Sequence, residues 1–269
     1  MSNTILERHD GAVAFITLNR PERHNAFDDT LILELTAAFT RAGNDPGVRA
    51  VVLDATGKSF SAGADLEWMG RMAGYSAEEN RHDALALAEL MRRVNTCPKP
   101  VVAVVQGAAF GGGVGLAAAC DIAVAADTAS FCLSEVRLGL IPAVISPYVV
   151  AAMGERACRR YFHTAERFSA AEARRLGLVH EVVAADALEA TRDRLLASIL
   201  DGGPQAQLAV KALIATVARP DPGLNVAAWT AGRIAEVRAS PEGRDGVEAF
   251  LGKRKPGWLQ DRSPGSGRE

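Results

Sequence analysis

Neither sign of charge dominates this chain. Lys and Arg total 30, Asp and Glu 32, and the formal net charge is -2. Without a basic excess, no general pull toward nucleic acid or an anionic membrane is expected. Cysteine is sparse: Cys97, Cys120, Cys132 and Cys158 are far apart, with no C-x-x-C pair. They read as reduced thiols of a cytoplasmic protein rather than zinc ligands or a disulfide framework. His9, His24, His82, His163 and His180 are scattered without metal-ligand spacing. No apolar run reaches the roughly 18 residues of a membrane span. Residues 1–10 carry charges and no apolar centre, unlike a secretory signal. A nucleophile elbow is missing too, since Gly57-Lys58-Ser59-Phe60-Ser61 lacks the last glycine of G-x-S-x-G. What remains is 269 residues, 48% of them apolar, the balance of a globular protein.

Short apolar runs alternate with helical periodicity early in the chain. Val13–Leu18 predicts a strand, followed by the loop Asn19-Arg20-Pro21-Glu22-Arg23. Leu31, Leu35, Ala38 and Phe39 recur at helical spacing after a cap at Asp28 or Asp29. Residues 48–54 form a second strand. Ser76-Ala77-Glu78-Glu79 is a capping box for a helix to about Asn95, which Pro98 and Pro100 stop. Val101–Val105 is continuously apolar, as in a strand buried on both faces. A short helix over 114–120 and strands over Ile122–Ala126 and 130–133 follow. Ser169-Ala170-Ala171-Glu172 is another capping box, Gly177 ends its helix, and 178–183 is the last strand. This alternation predicts parallel pairing and an α/β fold. Beyond Asp186 the pattern is helical, broken at Gly202-Gly203-Pro204 and restarted at Ser240-Pro241. The expected organisation is a core over 1–200, a helical region over 201–260 and a flexible tail over 261–269.

The most informative stretch is Gly107-Ala108-Ala109-Phe110-Gly111-Gly112-Gly113-Val114-Gly115. Three glycines before a helix strip side chains from the first turn and leave outward N–H groups at the positive helix end. Such a turn can hold a phosphate or an oxyanion developing on a carbonyl. It can also serve only close backbone packing. A third reading takes Gly113-x-Gly115-x-x-Ala118 with Glu135 as a dinucleotide fingerprint, although the motif lies mid-chain. An oxyanion hole needs a second donor, and Ser61-Ala62-Gly63-Ala64-Asp65-Leu66, another small-residue loop after a strand, offers one.

These motifs, taken in order, resemble the enoyl-CoA hydratase/isomerase (crotonase) family. The carrying residues are Asn19-Arg20-Pro21 with Asn25-Ala26, Phe60 to Leu66, Gly107 with Gly111-Gly112-Gly113, Cys120-Asp121, Ser134-Glu135, Leu138-Gly139 and Pro142. The stretch 131–155 looks most like the bacterial 3-methylglutaconyl-CoA hydratase branch. The resemblance implies a spiral of ββα units with a helical C-terminal region used in trimers, which often pair into hexamers. It implies an acyl-CoA substrate, no cofactor beyond the substrate's own coenzyme A, and a thioester oxygen held by the N–H groups of Ala64 and Gly112. His24, Asn25, Ala26, Ala62, Gly63, Asp65, Leu66, Trp68, Gly111 and Pro142 become candidate substrate-binding residues. Lys253 and Lys255 become candidates for the nucleotide phosphates.

Hydration of a conjugated thioester puts negative charge on the thioester oxygen and needs a group to take the water's proton. The resemblance assigns that group to Glu135. A second Glu, usual in this family's hydratases, would fall at Gly115 and is absent. Glu135 would then move both protons, or a substrate carboxylate would help place the water. Arg71, Arg92 and Arg93 are candidates to bind such a carboxylate. An enoyl-CoA isomerase, which needs one base, and a silent acyl-CoA binder are the alternatives.

Overall fold

The computed structural model describes residues 4–260. The tail expected over 261–269 lies outside the described residues. Two compact units divide the chain between Leu195 and Leu196.

The first unit opens with a hairpin of β1 (Ile5–Asp10) and β2 (Val13–Leu18), paired antiparallel. Then come α1 (Asp29–Asn44), β3 (Ala50–Ala55), β4 (Ser59–Ser61), α2 (Leu66–Met72) and α3 (Ala77–Asn95). Next are β5 (Val101–Val105), β6 (Ala108–Phe110), α4 (Gly112–Ala119), β7 (Ile122–Ala126), β8 (Ser130–Cys132) and α5 (Ser146–Thr164). The unit closes with β9 (Phe168–Ser169), α6 (Ala170–Leu176), β10 (Glu181–Val183) and most of α7 (Leu188–Asp201). Three times a long strand, a short strand and helix follow one another. The long strands β3, β5 and β7 enter a six-stranded sheet, β1-β2-β3-β5-β7-β10. The short ones, β4, β6 and β8, enter a four-stranded sheet ending in β9. Pairing is parallel within both trios. This is the α/β fold that the alternation predicts, arranged as the spiral of ββα units that the resemblance implies.

Sequence explains most of this locally. All five residues of β5 are buried, since the sheet is covered on both faces. α1 turns Leu31, Ile32, Leu35, Ala38, Phe39 and Ala42 inward, and Asp28, not Asp29, caps it by accepting from the Leu31 N–H at 2.8 Å. The Ser76/Glu79 box forms in full. At α6, Ser169 accepts from the Glu172 N–H, but the Glu172 carboxylate turns instead to Arg175 and the Tyr161 hydroxyl. Only half of that box exists. β1 carries no readable pattern because five of its six residues are exposed. α5 was not anticipated: Pro147 stands in its first turn and Gly154 breaks its backbone at φ 78°. The last strand is shorter than 178–183, because Leu178 and Val179 pack as buried connection after Gly177.

The second unit holds α8 (Pro204–Ala218), α9 (Val226–Ala239), α10 (Pro241–Leu251) and α11 (Gly257–Gln260). Gly203 has no side chain to cap α8, and the Glu242 carboxylate does so, accepting from Gln205 and Ala206 N–H groups at 2.9 and 2.8 Å. Ser240 caps α10. Leu208, Ile214, Ile234, Phe250 and Leu251 stand exposed on these helices.

Candidate active site

The parallel neighbours β4, β6 and β8 end at the same edge of the small sheet. Their carboxyl ends deliver Ala62, Gly63, Ala64 and Leu66, Gly111 and Gly112, and Ser134 and Glu135 to one cleft of about 800 Å³. Ligands commonly sit at the carboxyl ends of parallel strands for this reason.

The first loop is pinned on both sides of Ala64. The Phe27 N–H donates to the Gly63 carbonyl at 2.7 Å, and the Asp65 N–H donates to the Phe27 carbonyl at 2.8 Å. The Ala64 N–H between them has no partner among the described residues, and Ala64 is exposed to the cleft. Gly63, at φ 93°, takes a backbone conformation that favours glycine. In the second loop the Gly111 N–H donates to the Cys132 carbonyl at 2.9 Å, and Gly111 sits at φ 48°. Gly112 then opens α4, and its N–H also lacks a partner among the described residues. A Cβ on Gly111 would lie 3.2 Å from Glu135 Oε1 and 3.8 Å from the Gly63 Cα. The three strand ends therefore converge at this point. A Cβ on Gly112 would stand 2.9 Å from the Phe27 ring, so the donor turn tolerates no side chain.

Glu135 begins a 3-10 turn, Glu135–Leu138, closed by Gly139 in the left-handed region. Its Oε2 is buried and has no hydrogen-bond partner. Burial pushes the carboxyl above the usual Glu range. Such a group takes up and gives back a proton more readily than an exposed carboxylate near neutral pH.

Ala62, Gly63, Leu66, Trp68, Gly111 and Pro142 line the same cleft as Ala64, Gly112 and Glu135. His24, Asn25, Ala26 and Asp65 do not. The Asn25 side chain accepts from the Arg20 N–H and donates to the Thr56 and Ser59 carbonyls. Asp65 caps α2 and pairs with Arg20 at 3.1 Å. His24 Nδ1 meets Ser59 Oγ at 3.1 Å. Arg71 pairs with Asp29, while Arg92 and Arg93 pair with Glu89, and none of the three lines the cleft. Lys253 and Lys255 belong to the second unit, after α10. Phe27, Asn80, Asp83 and Ile145 are cleft residues that sequence reasoning missed. Nothing in the periodicity of α3 or the loop before α5 marks them as cleft wall. Where the second Glu would stand, a Cβ on Gly115 would overlap Ile145 Cγ2, so an isoleucine fills that space. The glycines of the suspected dinucleotide fingerprint are packing positions: a Cβ on Gly113 would lie 2.6 Å from the Ser61 carbonyl oxygen. Among the described residues no cluster of His, Cys, Asp or Glu is arranged to hold a metal ion, and no helix is long and apolar enough to cross a membrane.

Known proteins share this fold and much of this sequence. Residues 8–261 match the family model described as enoyl-CoA hydratase/isomerase. A Thermus thermophilus protein provisionally named an enoyl-CoA hydratase is 40% identical over 248 residues, covering 91% of this chain and 97% of its own. A crystal structure of an enoyl-CoA hydratase from Shewanella pealeana is 44% identical with a TM-score of 0.92, covering 95% of this chain and 96% of that one. A Legionella pneumophila structure, provisionally named an enoyl-CoA hydratase/isomerase (crotonase), is 48% identical with a TM-score of 0.90, covering 95% and 98%. With the spiral, the paired glycine loops and the sequence match all in agreement, the chain belongs to the enoyl-CoA hydratase/isomerase (crotonase) family of enzymes.

Proposed function

We propose that this enzyme adds water across the C2=C3 double bond of a 2-enoyl-CoA thioester, with Glu135 moving the protons. The observation that carries the reading is a buried carboxylate without a partner, beside two backbone N–H groups left open on adjoining strand ends. Water's oxygen bonds to C3 as its proton passes to Glu135. The π electrons move to the thioester oxygen, where the Ala64 and Gly112 N–H groups receive the charge. The enolate then collapses and C2 takes a proton from the Glu135 carboxyl. In other enzymes, losing one such donor costs about 2.7–4 kcal/mol. No cofactor is needed beyond the coenzyme A of the substrate.

Isomerisation is the second reading, and Gly115 favours it. With Ile145 in the place of a second carboxylate, Glu135 is the carboxylate set beside the donor loops, and one base suffices to carry a proton from C2 to C4. The test follows the loss of conjugated-enoyl absorbance with crotonyl-CoA and 3-methylcrotonyl-CoA. Hydration of either supports the first reading; no hydration, with conversion of a 3-enoyl-CoA, overturns it in favour of the second. Likeness over 131–155 points to 3-methylglutaconyl-CoA, whose acyl chain ends in a carboxylate. The described cleft lining includes no Lys, Arg or His to meet that charge, so we place the uncharged branched ester first.

The coenzyme A arm is assigned to Ala62, Asp65 and Leu66, with His24 to Ala26 beside them, as the resemblance implies. Leu66, 81% exposed, supports this as an open contact surface. The exposed apolar side chains of α8 to α10 support a homotrimer or a dimer of trimers. Four buried cysteines fit a cytoplasmic location.

A further inference from the structure

The cleft that holds Glu135 has a second carboxylate in its wall, Asp83 on α3. Its position is fixed: the Trp68 indole N–H donates to Asp83 Oδ1 at 3.1 Å, and Trp68 itself is 4% exposed. Burial is the main influence on the Asp83 carboxyl and pushes it above the usual Asp range, with Asp29 adding to the rise. The Trp68 bond, Arg71 and His82 oppose this without cancelling it. Neither Arg71 nor His82 lines the cleft. Arg71 is engaged by Asp29 and by Tyr75, and His82 lines an adjoining hollow of about 580 Å³ that touches the other side of Asp83. Among the described lining residues, Asp83 and Glu135 are the ionisable groups, and both are acids. An ionised Asp83 repels a second carboxylate brought beside it, and the pair is screened less in this half-open cleft than in bulk water.

We infer that Asp83, held by the Trp68 indole, sets the acyl preference of the cleft by excluding chains that end in a carboxylate and admitting uncharged ones. This rests on the proposed function only in placing the acyl chain, and not the coenzyme, in this cleft. A chain ending in methyl groups meets the apolar remainder of the wall, Met69, Leu87 and Ile145 among it. A carboxylate in the same place meets Asp83 with no counter-charge. Asp83 acts on selection and takes no part in the proton transfer.

The test uses a matched pair of saturated esters, isovaleryl-CoA and 3-methylglutaryl-CoA, which cannot be hydrated. Calorimetry on the full-length enzyme should show the uncharged ester binding at least about tenfold more tightly. Asp83→Asn, which keeps an acceptor for Trp68, should narrow that ratio to about twofold, while Asp83→Glu should preserve it. Should Asp83→Asn not fold, Asp83→Ser is read in the same way. Equal or tighter binding of 3-methylglutaryl-CoA by the native enzyme overturns the inference. So does an unchanged ratio in the neutral variants. If neither ester binds, the inference and the proposed function fall together. A binding preference without hydration of any enoyl-CoA overturns the proposed function alone.

Discussion

Burial pushes the Glu135 carboxyl up, and this has a consequence for stability as well as for chemistry. The folded enzyme holds that proton more tightly than the unfolded chain does. Stability therefore falls as pH rises from the ordinary Glu value through the raised folded value, and above it the loss is complete. Glu135→Gln removes the ionisation. The variant should melt at a higher temperature than the native enzyme at neutral pH, with the gap closing toward about pH 4. A lower melting temperature at neutral pH would contradict the burial of an unpartnered carboxylate. Gly115 tests the packing beside it. Gly115→Ala drives a Cβ into Ile145 and should cost about 1–3 kcal/mol by urea unfolding. Gly115→Ala/Ile145→Ala, which removes the overlapping Cγ2, should cost less than the two single changes added together. The open N–H of Ala64 was placed by resemblance to a family pattern. No spacing rule shows that Phe27 would bond on both sides of it and leave it free.

At the scale of elements, the sheet-end geometry explains why short strands matter. β4, β6 and β8 are three residues each, yet their register places three loops side by side. α2 is attached to this edge through Asp65, which accepts from the Glu67 and Trp68 N–H groups at 2.9 and 3.3 Å and pairs with Arg20. Asp65→Ala should cost about 2 kcal/mol or more, combining a lost cap with a broken buried pair. It should also reduce turnover, because α2 carries Trp68 of the cleft wall, and urea unfolding with a rate assay reads both. The helices that announce themselves with Asp28 or with Ser76 and Glu79 were legible, since capping is a local interaction. α5 was not: Pro147 marks its first turn as Pro241 marks that of α10, but Gly154 is a local signal against a helix, and tertiary packing of Val149, Met153, Cys158 and Tyr161 outweighs it. Glu135 lies on a 3-10 turn too short for any periodicity to show, so only its motif exposed it.

At the scale of the whole molecule, the alternation of apolar runs made the α/β class readable, but not that alternate strands leave for a second sheet. Strands of three residues carry too little pattern to reveal which sheet they join. The helical second unit was readable as helix from its breaks at Gly202-Gly203-Pro204 and Ser240-Pro241. Phe250 and Leu251, 83% and 74% exposed, end its α10, and such groups rarely stay in water when a partner surface is available. Light scattering on the purified enzyme should give the mass of three or six chains, and Phe250→Glu/Leu251→Glu should shift it downward. A native monomer would contradict the subunit contact.

The most direct measurement is mass spectrometry of 3-methylcrotonyl-CoA and crotonyl-CoA after incubation with the native enzyme and with Glu135→Gln. The native enzyme should add one water to at least one of these esters, and the variant should lose nearly all turnover while still binding coenzyme A esters. A variant that hydrates at the native rate, or a native enzyme that hydrates neither, would contradict the assignment of Glu135 as the proton carrier of an enoyl-CoA hydratase.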